Sequence, residues 1–186
     1  MLTDSPKGPY TRLFDALRFY WRSYGGLKAI LGSPFFHASL LLTAVTFRLW
    51  MPGQPWYDMV IGVMPNLLGF TIGGFAIFLA FGDEKFRALI AGSDNGTTSP
   101  FLNLCVTFLH FVLIQMATLI VAICGKALAF DLPDYLGGAP VSYWFGTFFG
   151  AIGFGLFLYS ITLGAAAGMA IFRAARYFDA FQSKKQ

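Results

Sequence analysis

Four long apolar stretches, residues 35–51, 57–82, 101–124 and 141–172, take up most of this 186-residue chain. A helix rises about 1.5 Å per residue, so each stretch reaches or exceeds the roughly 17 residues needed to cross a hydrocarbon core about 30 Å thick. In that solvent every backbone amide must find its partner inside the protein, and a helix does so within one segment. The stretches predict an all-α polytopic membrane protein with four transmembrane helices. Residues 1–34 precede them as an N-terminal arm, and residues 173–186 follow as a basic cytoplasmic tail. The chain is 56% hydrophobic and 12% charged, whereas soluble domains carry about 25% charged residues.

The basic residues orient the spans. Lys7, Arg12, Arg18, Arg22 and Lys28 lie in the arm, Lys85 and Arg87 between the second and third stretches, and Arg173, Arg176, Lys184 and Lys185 near the chain end. Only Arg48 and Lys126 fall on the opposite side. By the positive-inside rule both termini are cytoplasmic, as expected in a bacterial inner membrane. The outward loops, MPGQPWYD and ALAFDLPDYLGGAPVSYW, hold the Pro, Trp and Tyr of interfacial belts. The basic residues hug span ends, where they anchor against headgroups. The lipid bilayer is therefore the expected partner, and nucleic acid is not. The first 30 residues lack the uninterrupted apolar core of a cleavable signal peptide.

Within the arm, YTRLFDALRFYWRSY (residues 10–24) sorts by helical phase. Arg12, Asp15, Arg18 and Arg22 fall on one side; Leu13, Phe14, Leu17, Tyr20, Trp21 and Tyr24 fall on the other. This pattern predicts an amphipathic helix lying in the membrane interface, with Arg12, Arg18, Arg22 and Trp21 as its anchors. Gly25-Gly26 ends it. Ser33-Pro34 marks entry to the first span, because Ser can cap a helix and Pro suits its first turn. Asp83–Arg87 continues the second span as a short helix, residues 92–96 read as a mobile turn, and residues 183–186 as a disordered end.

Small residues recur in phase in two spans. Gly62, Asn66, Gly69 and Gly73 line one face of the second, and Gly146, Gly150, Gly153, Gly164 and Gly168 one face of the fourth. The motifs GFTIG, GTFFG and GAAAG are three GxxxG units. Lipid gives helices no hydrophobic reason to associate, so such faces predict close helix packing, within one bundle or at a homo-oligomer seam. Pro65 removes a backbone donor directly before Asn66 and predicts a kink there. Asn66 either hydrogen-bonds a neighbouring carbonyl or helix, or lines a hydrated constriction.

The third span carries the ionisable group. Asn103, Thr107 and His110 share a face, while Gln115 points elsewhere. An intramembrane histidine is a functional candidate as a proton relay or gate; the alternative is a neutral ring bonded to Asn66, Thr107 or a backbone carbonyl. Asn66, Thr71, His110, Asn103 and Thr107 are thus the candidate conduit or gate residues. His37 lies roughly 10 Å shallower than His110, so the pair does not ligate one haem. No metal-ligand cluster, cofactor site or catalytic set stands out, and an enzyme is not expected. Cys105 and Cys124, nineteen residues apart in one span, are too distant to bridge and read as packing residues.

Two functions follow from these residues. The first is a homo-oligomeric, channel-like membrane protein with a conduit lined by small residues and amides. The second is a non-conducting four-span subunit that senses envelope state or recruits a cytoplasmic protein through the arm, residues 83–99 and the tail. Quinone-linked disulfide-forming enzymes need cysteine pairs in outward loops, which this chain lacks. Small multidrug antiporters rely on a membrane-embedded Glu, and the one Glu here is Glu84, past a span end. In size and topology the chain resembles small four-span subunits of bacterial anti-phage systems such as Kiwa. That likeness of layout implies a defence or stress complex for the second reading.

Overall fold

The computed structural model describes residues 8–80, 99–128 and 138–183. They form six α-helices, with no strand among the described residues. These are α1 (Pro9–Tyr24), α2 (Gly26–Leu31), α3 (Pro34–Val45), α4 (Trp56–Ala80), α5 (Pro100–Ala127) and α6 (Gly138–Ser183). Within α4, α5 and α6, residues Trp56–Ile77, Phe101–Ala127 and Tyr143–Arg173 are long and apolar enough to cross a bilayer.

The ends have local causes. Pro9 opens α1, where a missing amide proton costs nothing, and Gly25 closes it at φ 97° with its N–H on the Arg22 carbonyl. Gly26 continues at φ 60°, where a side chain would press on the Trp21 indole. The arm thus turns abruptly into α2. Between α2 and α3, Pro34 cannot donate, and Ser33 N–H takes the Ile30 carbonyl instead at 3.0 Å. Ser33 adopts an extended backbone but makes no side-chain cap; Ser99, ahead of Pro100, accepts from Leu102 N–H at 3.2 Å and caps α5.

The first apolar stretch departs from its sequence outline. Its helix stops at Val45 rather than Met51, and a 3-10 turn follows over Phe47–Leu49. Trp50 Nε1 donates to the Thr43 carbonyl, which a longer helix would use, and Thr46 Oγ1 adds a second bond to the Leu42 carbonyl that its own N–H already takes. Twelve residues make α3, about 18 Å of rise, too little to cross a bilayer alone. At the other end of the chain α6 runs past residue 172 to Ser183. The DEKFR and GSDNG segments lie outside the described residues, as do residues 129–137 of the second outward loop.

Helices α4, α5 and α6 pack against one another, α3 lies on α6, and α1 on α5. α4 runs antiparallel to α5. Asp58 meets Lys126 at 2.8 Å at one end, Thr71 meets Gln115 midway, and Phe75 stacks on Phe108 at the other. Thr162 donates to the Phe35 carbonyl and so ties α6 to the start of α3. Two apolar clusters fill the interior. Trp56, Val60, Met64, Ala122, Phe154 and Phe157 close the end near the α3–α4 loop, and Phe108, Phe111, Tyr159, Leu163 and Ala167 the other.

The small residues split by environment. A Cβ on Gly150 would overlap the Trp50 carbonyl oxygen, and one on Gly153 the Trp56 ring. Gly146 and Gly164 approach Pro52 and Leu67 at ordinary contact distance. The fourth-span glycines from 146 to 164 therefore serve packing inside this chain. Gly62, Gly69, Gly73 and Gly168 face open space.

Candidate functional site

Among the described residues, the buried polar side chains gather along α5, namely His110, Gln115 and Thr118 with Thr71 from α4 and Ser160 from α6, except for Ser39, which bonds within α3 to the Phe36 carbonyl. His110 is fully buried and is the chemically richest of them. Tyr20 Oη lies 2.6 Å from its Nδ1, and Tyr159 Oη lies 3.2 Å from its Nε2. A neutral imidazole offers one acceptor and one donor. The shorter contact fits an O–H donor and the longer an N–H donor, so Tyr20 donates to Nδ1 and Nε2–H to Tyr159. Tyr24 stacks on the imidazole with ring centroids 3.9 Å apart. The bonds form a chain from the arm through α5 to α6, with Tyr24 of the arm stacked over its centre.

That chain fixes how the arm sits. Tyr20 is the one buried residue of α1, whereas Tyr10, Phe14 and Phe19 are all more than half exposed. Burial, followed by the neighbouring Tyr24, pushes Tyr20 up to about 12. Its hydroxyl therefore keeps the proton that it donates at any pH near neutral. Burial also pushes Tyr24 up.

A second polar contact joins α4 to α5. Gln115 Nε2 donates to Thr71 Oγ1 at 2.9 Å, and Thr71 in turn donates to the Leu67 carbonyl. Gln115 Oε1 is buried with no hydrogen-bond partner. Thr118 and Ser160 meet at 3.0 Å across α5 and α6. Helical phase set Gln115 apart from the His110 face, yet both are buried, because α5 is covered on several sides at once.

The residues grouped from sequence as one conduit fall in separate places. His110 is at the arm junction and Thr71 in the α4–α5 seam. Asn66 is exposed, its Nδ2 reaching the Gly62 carbonyl at 3.5 Å. Asn103 is exposed, and half-buried Thr107 donates to the Asn103 carbonyl at 2.8 Å. The His110 ring bonds to Tyr20 and Tyr159 rather than to Asn66 or Thr107. α4 continues through Pro65 as one helix. Of the arm anchors, Arg12, Arg18, Arg22 and Trp21 are exposed. Among the described residues, no three His, Cys, Asp or Glu side chains gather as a metal site would require.

Three long apolar helices around a core place the chain in the class of α-helical membrane proteins. No family model, no curated protein and no solved structure matches it.

Proposed function

We propose that this protein is a non-conducting membrane subunit whose N-terminal arm reports the state of the inner leaflet to the cytoplasmic side. One observation carries the reading: the buried histidine is used to hold the arm. Three tyrosines, two of them from α1, surround His110. A proton path or conduit would need polar groups continuing through the bundle. Beyond Thr118 the interior is instead filled by Val60, Met64, Ala122 and Phe154, each at most 1% exposed.

Depth supports an interfacial arm. His110 lies fifteen residues along α5 from Gly125, which abuts Trp56 at the opposite end of the bundle. That is about 22 Å of rise. In a core about 30 Å thick the latch then sits about 8 Å from the inner boundary, the depth at which interfacial helices lie. In this reading α2 and α3 together make the first of four crossings, interrupted at Ser33-Pro34, and both termini are cytoplasmic. A cytoplasmic partner, in a defence or stress complex, would read the arm.

The test places an environment-sensitive probe at Phe19→Cys in the full chain in vesicles, with Cys105 and Cys124 replaced by Ser. Changing bilayer thickness or anionic lipid content should shift the probe signal in the wild-type background. With His110→Leu the probe should report the released state in every membrane. A wild-type arm indifferent to all membrane changes would end this reading.

A second reading, the homo-oligomeric channel, is favoured by a different observation. Gly62, Gly69 and Gly73 of α4 have nothing within 4 Å of a built Cβ, and exposed Asn66 shares their face. A conduit would then run between copies, along α4. Ion flux through liposomes that is lost in Asn66→Leu would put this reading first.

A further inference from the structure

Along α1 runs a groove of about 620 Å³ lined by Phe14, Asp15, Leu17, Arg18, Tyr20 and Trp21. We infer that this groove binds one anionic phospholipid, with its phosphate on Arg18 and an acyl chain along Phe14, Leu17 and Trp21. The inference rests on the arm reading and names what the arm detects.

The lining has the two chemistries such a lipid needs. Phe14, Leu17, Arg18 and Trp21 lie within about 100° of one another around the helix. They form an apolar strip with a guanidinium at its edge, a geometry suited to phosphate oxygens. Phe14 is 67% exposed and Trp21 42% exposed, an open apolar surface that water covers poorly and lipid covers well. Asp15 lines the same groove beside Arg18, yet the helix as a whole is cationic, with Arg12, Arg18 and Arg22 against that one carboxylate, and this favours an anionic headgroup. A free phosphate would use Arg18 and leave the strip bare, so the occupant is a lipid.

Tyr20 connects the groove to the latch. Its ring lines the groove while its hydroxyl bonds to His110. Filling the groove covers the outer side of that ring and favours the docked arm, so lipid composition acts on the arm through one side chain. Trp21 is held for the same purpose, its indole lying over Gly26, which has no side chain to displace it.

The experiment uses the full chain in phosphatidylcholine vesicles with increasing brominated phosphatidylglycerol or brominated phosphatidylcholine. Each protein is measured beside its Trp21→Phe counterpart, and the difference gives the quenching of Trp21. Half-maximal quenching should need about fivefold less brominated phosphatidylglycerol than brominated phosphatidylcholine. Arg18→Glu should erase the difference, whereas Lys28→Glu, the same charge change outside the groove, should keep it. Equal quenching by the two lipids would overturn the site. Equal loss in Lys28→Glu would reduce it to diffuse attraction, which also overturns it. Equal quenching by the two lipids, together with an Arg18-dependent change of Trp21 fluorescence on adding water-soluble glycerophosphoglycerol alone, would overturn the lipid occupant in favour of phosphate alone. A lipid preference can be present with an arm that never moves, and an arm can respond with no lipid preference, so the two readings fail separately.

Discussion

Gly150 and Gly153 show how much a missing methyl group contributes here. A Cβ on Gly150 would overlap backbone, the Trp50 carbonyl, which moves only if the α3–α4 loop moves. Gly150→Ala should lower stability by about 1–3 kcal/mol, the usual cost of overpacking. Gly69→Ala and Gly73→Ala meet open space and should hold or raise the stability of the single chain, since alanine favours helix by about 0.5–1 kcal/mol. Thermal unfolding in mild detergent separates them; equal losses at all three would contradict this packing. Gln115 gives a second contrast. Its carbonyl oxygen is buried without a partner while its N–H bonds to Thr71. Gln115→Met should be neutral or stabilising because it removes that unpaired group. Thr71→Val should cost about 1–3 kcal/mol by orphaning the amide completely. Denaturant titration of both variants decides it, and a strong loss in Gln115→Met would point to an unseen partner for the carbonyl.

Among the elements, α4 and α5 were readable because long apolar runs bounded by Pro and Ser leave little choice: residues 57–82 and 101–124 became Trp56–Ala80 and Pro100–Ala127. The end of α3 was not, since Trp50 caps it by folding back seven residues, a contact invisible to hydropathy. The latch was legible only in part. His110 stands out as an ionisable residue in a span, but helical phase says nothing of what lies across from it, and Tyr20 is ninety positions away. A signal did exist: Tyr20 and Tyr24, four residues apart, put hydroxyl-tipped rings on the apolar side of the arm. Such rings need partners when buried. Tyr20→Phe should therefore loosen α1 without disturbing α4–α6. Hydrogen exchange should speed up at the α1 amides alone; faster exchange throughout the bundle would make Tyr20 a general core residue.

Across the whole molecule, topology turns on whether α2 and α3 together make a crossing. Twelve residues of α3 do not span a bilayer, but Gly26–Val45 taken together rise about 30 Å if nearly collinear. Four crossings place both termini on one side, whereas three place them on opposite sides. Epitope tags at the two ends, probed with protease in intact cells, should be protected together. Cleavage of one alone would make α2–α3 a re-entrant element. The central claim is that the arm is seated on the bundle through His110. Its most direct measurement is the distance between spin labels at Leu13→Cys and Met116→Cys, in vesicles and with the native cysteines replaced by Ser. The account predicts a narrow distribution in the His110 protein that broadens in His110→Leu. A distribution already broad with His110 present, or equally narrow without it, would contradict the latch.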